Sequence, residues 1–318
     1  MATTTKRTVK RVPKNLVRYS WFVVAYNVLV ILWGALVRAT GSGAGCGNHW
    51  PLCNGQVIPL SPHIHTIIEF THRCMTVGAA FIVLGLLVWI FRAKAKGQAA
   101  RAAVVVSSVL LLNEALLGAL LVKLGYVTGN QSTGRVIMLS IHLSNTLLLL
   151  GALTLTAVLL RTEQATRELS LRGKKAAWTI AGLAATIVVG VSGSLAALGD
   201  TLFPSSSLRA AMEQDLSSSS PWLLRLRGVH PLSAIVAAAF VLWLVEQARR
   251  NGASRLGNIV LSLLGIQFVL GLLDVVLLAP TWMQILHLLG ADLYWVALVS
   301  LAAELIWTPA RATLPINP

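Results

Sequence analysis

Long apolar runs return along this chain, and each can cross about 30 Å of hydrocarbon as a helix rising 1.5 Å per residue. They fall roughly at 19–40, 65–91, 102–125, 136–160, 176–198, 229–247, 257–279 and 281–307. The run at 229–247 is the shortest. Only 12% of the 318 residues are charged, about half the share of a soluble protein. Mean hydropathy is +0.74. The pattern predicts an all-α membrane protein with eight transmembrane helices.

The net charge of +15 would suit a nucleic-acid partner, but the positions of the charges argue for orientation instead. Basic residues crowd the N-terminal tail (Lys6, Arg7, Lys10, Arg11, Lys14, Arg18) and the second connection (Arg92, Lys94, Lys96, Arg101). They crowd the fourth (Arg161, Arg167, Arg172, Lys174, Lys175) and sixth (Arg249, Arg250, Arg255) as well, and the C-terminal tail holds Arg311. Nineteen of the 26 Lys and Arg residues thus fall on one side. Both termini are therefore expected in the cytoplasm, with the protein in the cell membrane and the lipid bilayer as its partner. The first 18 residues lack the apolar core of a cleaved signal and read as a cytoplasmic tail.

The chain repeats itself. GALVRATGSG near the end of span 1 echoes GVSGSLAALG near the end of span 5. EALLGALLVKL in span 3 echoes QFVLGLLDVVL in span 7, and SIHLSNTLLLL in span 4 echoes ILHLLGADLYW in span 8. Two tandem four-helix bundles are expected, 19–160 and 176–307, joined by a cytoplasmic linker at 161–175 and followed by a tail at 308–318. Four spans per unit give both copies one orientation, so a pseudo-twofold axis would lie along the membrane normal.

Four of the seven histidines, His72, His142, His230 and His287, lie in the even spans near their outer ends. Each half thus offers two imidazoles at one depth on two parallel helices. Histidines on facing helices are the usual way to build a cofactor site in a bundle. Two without a wider ligand set suit axial ligation of a haem iron, whereas zinc asks for four close ligands. The plainer reading of one membrane histidine is a hydrogen bond to a neighbouring helix. Four in register across a repeat favour ligation.

The halves differ in ways that suggest roles. Glu69 precedes His72 by three residues, on the same helix face, and is expected near the rim of a bound macrocycle. A carboxylate there can relay protons or stabilise a developing cation. It can also simply be an interfacial acid that meets solvent or pairs with Arg73. The position three before His230 is Arg227, which suits a propionate or, with Arg225, a solvated loop end. Cys46 and Cys53 share the first outer loop, on the oxidising side where disulfides persist. Such a bond would be a loop staple or an exchangeable redox pair. Cys74 in span 2 reads as a small buried hydrophobe. Glu114 in span 3 aligns with Gln267 in span 7, and Asp274 also lies in span 7. These polar groups would serve protons or bond a neighbouring helix. Loop 199–228 contains GDTLFP and a possible amphipathic turn, LRAAMEQDL.

GALVRATGSGAGCGNHWPLCNG followed by IIEFTHR closely resembles the first half of the heme A synthase family. The resemblance spans roughly 19–307. In the second half it rests on His230 with Pro231, GDTLFP and His287. It implies oxidation of the C8 methyl of haem O, through a hydroxymethyl, to the formyl of haem A for terminal oxidases. It implies that His72 and His142 bind the substrate haem O, that His230 and His287 bind a resident haem B, and that Glu69 is the catalytic acid. Cys46 and Cys53 match the family's first-loop pair. Some members carry a second pair between spans 5 and 6, and this chain has none there. The enzyme that makes haem O is then a candidate partner. An electron donor is required, and the sequence does not name it.

Two other classes compete. A di-haem b-type electron-transfer cytochrome would use the four histidines and leave Glu69 and the thiols without a task. A transporter would need a discontinuous helix with a polar midplane site, whereas the polar groups here gather toward the outer rim.

Overall fold

In the computed structural model the described residues are 12–93, 98–161, 167–170 and 172–309. The basic residues up to Arg11, together with Lys94, Lys96 and Arg311, lie outside them.

Among the described residues, eight helices are long and apolar enough to cross a membrane. They are built on α1 (Lys14–Ala39), α2 (Ile64–Arg92), α3 (Gln98–Lys123), α4 (Thr133–Arg161), α5 (Lys174–Leu202), α8 (Val229–Arg250), α9 (Ser254–Val276) and α10 (Thr281–Ile306). Two short helices, α6 (Leu208–Leu216) and α7 (Trp222–Arg225), lie between α5 and α8. This multi-pass arrangement keeps every backbone hydrogen bond of a span inside its own helix, as lipid demands.

The ends differ from the apolar runs in instructive ways. Helix α5 continues through Gly199 and Asp200 to Leu202, where the hydropathy pattern predicts a loop. Pro204 follows Phe203 and disfavours a helical residue before it, so the stop comes there. The sixth span begins at Trp222 and runs through α7 and a 3-10 turn, Leu226–Gly228, into α8. This lead-in puts His230 about two turns from the start of its span, as His72, His142 and His287 lie in theirs. LRAAMEQDL forms α6, with the Ser207 hydroxyl accepting from the Ala210 N–H at its start.

Trp307, predicted as the last residue of span 8, instead opens a three-residue strand, β2 (Trp307–Pro309). It pairs antiparallel with β1 (Arg167–Leu169) in the 161–175 linker. A pairing this short leaves no period in the sequence.

In contacts between helices, α1, α2, α3 and α4 pack in a ring, as do α5, α8, α9 and α10. Helices α4 and α10 meet where the two sets join, and α4 also touches α5. Helix α4 is the most enclosed span. Lipid supplies no hydrophobic drive between helices, so close packing and interhelical hydrogen bonds must hold them. Leu150, Leu153, Leu298 and Leu301 are fully buried along this seam. Trp295 Nε1 donates to Leu147 O at 2.8 Å. Gly151 admits the indole: a Cβ there would stand 3.4 Å from Nε1.

Gly151→Val is therefore expected to push the indole away and cost about 1–3 kcal/mol of overpacking. A lower thermal midpoint in detergent would show it. An unchanged midpoint would mean that the α4–α10 seam does not depend on this contact.

Candidate functional site

The loop between α1 and α2 folds back onto α2. Cys46 and Cys53 form a disulfide, and both are buried. The chain closes around it with Asn54 N–H to Cys46 O at 3.0 Å and Cys53 N–H to Gln56 O at 2.8 Å. The two ionic side chains of the E-x-x-H-R segment clamp this loop. Glu69 Oε2 accepts the Cys46 N–H at 2.8 Å, and Oε1 accepts Arg73 Nη2 at 2.6 Å. Arg73 Nη1 donates to His49 O and Leu52 O, each at 2.7 Å. Glu69 is only 3% exposed. The alternative of an Arg73 pair is thus present, and it binds the disulfide loop as well.

Cys74 corrects an expectation. It is exposed, because five residues at 3.6 per turn carry it about 140° around α2 from Glu69.

Each of the four histidines faces a glycine on the preceding span. A Cβ at Gly34 would stand 3.0 Å from His72 Cε1, and one at Gly193 would stand 2.8 Å from His230 Cε1. Gly118 and Gly271 face His142 and His287 at 3.9 and 3.4 Å. A larger residue at Gly34 or Gly193 would displace the ring. His72 and His142 lie in electrostatic range of each other.

The second pair is the better defined. The rings of His230 and His287 oppose with centroids 6.3 Å apart and planes at 83°. His230 and His287 would be the residues to hold a haem iron between α8 and α10. His230 Nδ1 lies 3.1 Å from Val189 O. A carbonyl only accepts, so Nδ1 carries the proton and Nε2 keeps its lone pair for a metal. Nδ1 of His72, His142 and His287 is buried without a hydrogen bond. Among the described residues no three His, Cys, Asp or Glu side chains converge on one metal position. The donor set therefore fits paired axial ligation of a haem rather than a zinc centre.

Arg227 is engaged on all sides. Its Nε lies 2.9 Å from Asp200 and its Nη1 3.3 Å from Asp215, and Nη2 donates to Phe203 O at 3.1 Å. Helix α5 delivers Asp200 and α6 delivers Asp215, so this arginine ties the α5–α8 connection together.

Residues 17–299 match the cytochrome oxidase assembly protein family, COX15-CtaA. This chain belongs to that family.

Among the relatives of this chain is a Thermus thermophilus protein named protoheme IX farnesyltransferase. It is 44% identical over 304 residues, covering 93% of this chain and 49% of the relative. A heme A synthase of Alkalihalophilus pseudofirmus is 38% identical over 148 residues, covering 46% of each chain. Another, of Geobacillus kaustophilus, is 42% identical over 110 residues, covering 33% of this chain and 34% of the relative. The chain spans about half the length of the first of these relatives.

Arg38 escapes sequence reasoning, whereas Glu114 takes the neighbouring-helix bond expected as one of its two readings. Arg38 of α1 donates to Ala197 O at 2.8 Å, to Thr201 Oγ1 at 3.1 Å and to Gln284 Oε1 at 3.0 Å. It thus stitches α1 to α5 and α10, and Asp200 and Asp274 lie within its electrostatic range. Glu114 belongs to a network between α3 and α4. Its Oε2 accepts Asn145 Nδ2 at 2.5 Å and its Oε1 meets the Thr146 hydroxyl. The isolated arginine in VRATG is a cue for the first, and the acid in mid-span for the second. Neither reveals its partners.

Arg73→Gln is expected to release the disulfide loop and leave Glu69 buried without its cation, a loss of about 3–5 kcal/mol for a broken buried pair. Limited proteolysis within residues 47–60 should then speed up sharply. Cleavage at the unmutated rate would show that the disulfide alone holds the loop.

Proposed function

We propose that this chain is a heme A synthase, a membrane oxidoreductase that converts the C8 methyl of haem O to a formyl group through a hydroxymethyl. In this reading residues 19–160 are the catalytic half, where His72 and His142 hold haem O. Residues 176–307 hold a resident haem B between His230 and His287. The observation that carries the reading is the opposition of His230 and His287 at 6.3 Å. Membership of the family and the heme A synthase names of several relatives support it.

The resident haem would supply one-electron chemistry; the side chains do the rest. The Val189 carbonyl orients His230, and Gly193 and Gly34 leave room for the rings they face. Glu69 is the proposed acid, aimed by Arg73 and by the Cys46 N–H so that it cannot swing into solvent. The Cys46–Cys53 loop covers it and excludes water, which strengthens any interaction with a developing charge. Arg227 would meet a propionate by exchanging Asp215, its more exposed partner.

The basic residues support placing both termini in the cytoplasm of a cell-membrane protein. The repeat, the four glycine–histidine pairs and the two rings of helix contacts support a pseudo-twofold axis along the membrane normal. The relative named protoheme IX farnesyltransferase matches this chain over about half its own length. It supports delivery of haem O by the enzyme that farnesylates haem.

One observation favours a second reading. Both oxygens of Glu69 are already bound, so this residue has a structural task even in a di-haem b-type electron-transfer cytochrome. Haem extraction and mass analysis, after production in a membrane that supplies haem O, separates the two. The synthase gives hydroxymethyl and formyl haems. Glu69→Gln should keep its haems and lose roughly 10²-fold or more of the conversion, the usual share of a positioned acid. Formyl haem at the full rate from that variant removes Glu69 from the chemistry. Haem O left untouched by the unmutated protein establishes the electron carrier.

A further inference from the structure

We propose that Glu114 is a positioning residue for His142, its carboxylate accepting the Nδ1–H of that imidazole and making His142 the most strongly donating of the four histidines. The inference rests on His142 being an axial ligand in the first half.

Three observations lead to it. Nδ1 of His142 is sealed from solvent and makes no hydrogen bond, yet Glu114 Oε1 stands 3.5 Å away. That is the outer limit of hydrogen-bond length, and contacts of this kind tighten when a site is loaded. Next, the residues just beyond His142 hold Glu114 in place. Asn145 donates to Oε2 at 2.5 Å, and the Thr146 hydroxyl meets Oε1. Asn145 is itself fixed, with Nδ2 on Leu110 O at 2.9 Å and Oδ1 accepting Asn113 Nδ2 at 2.8 Å. Lastly, the second half lacks the device. The aligned residue there is Gln267, neutral and turned to Gly290, where a Cβ would collide with its Nε2. Gly290 follows His287 by three residues, as Asn145 follows His142. Among the described residues His142 faces a carboxylate, whereas His230 faces the Val189 carbonyl.

A carboxylate on the far nitrogen raises the basicity of a ligating imidazole more than a carbonyl does. Iron held by His142 would then be stabilised in its oxidised form relative to iron between His230 and His287. A plain interhelical strut would need the Asn145 and Thr146 contacts, but it would not tune the iron.

The test is a potentiometric titration of the full chain carrying both haems, followed optically, with low-spin electron paramagnetic resonance spectra of the oxidised protein. Glu114→Gln should raise the midpoint potential of the first-half haem and change its signal, leaving the second-half haem where it was. Glu114→Asp, which keeps the charge, should restore part of the shift. Superimposable titrations overturn the proposal, as does an equal shift of both haems. If Glu114→Gln loses the first haem, Glu114→Asp decides: an altered potential confined to that haem supports the role, and loss of haem again reduces Glu114 to a strut. His142→Ala separates the two layers of the argument. If it retains the first haem unchanged, the ligand assignment falls. If it loses that haem while Glu114→Gln leaves the potential fixed, only the positioning role falls.

Discussion

Lipid offers no hydrogen bonds, so every polar side chain within these spans needs a protein partner or a ligand. Many of the polar groups obey by bonding their own helix backbone or by pairing with a side chain or loop beside them. Glu69 takes Arg73 and the Cys46 N–H, Arg38 takes three acceptors on α5 and α10, and Arg227 takes two carboxylates and a carbonyl. The exceptions among the described residues include Gln267 Nε2, Asp274 Oδ1 and Asp292 Oδ2 as well as Nδ1 of His72, His142 and His287. The four histidine rings are seated against glycines of the preceding spans.

The glycine–histidine pairs also link sequence to architecture. The odd span supplies the small residue and the following even span the imidazole, four times over. The arrangement fixes the depth and spacing of the rings without a hydrogen bond to every one. Differences between the halves then lie around the rings. The first half has a disulfide loop, a clamped acid and the Glu114 network; the second has the Val189 carbonyl, Gln267 and the Arg227 ion pairs. Under the proposed function, these unequal surroundings are a physical basis for giving two macrocycles different tasks.

Much of this is legible in the sequence, because a span of apolar residues and a register of histidines are local or periodic signals. The eight spans follow from run length, and the closeness of Cys46 and Cys53 in one polar loop is the cue for their bond. Arg38 shows the limit. Its partner Gln284 lies 246 residues away, and no local pattern joins them. The same holds for Asp200, which hydropathy puts in a loop and α5 carries to Arg227. Cys74 fails for the opposite reason. Its helix is plain in the sequence, but hydropathy does not say which apolar side of that helix meets lipid.

The central claim is that each half holds its own macrocycle and that oxidation belongs to the first. Haem content by half tests it most directly, using extraction and optical spectra of His72→Ala purified beside the unmutated chain. The account predicts that the variant retains haem B at its second site and yields no oxidised haem. Loss of that haem B as well, or oxidised haem formed at the usual rate, would contradict it.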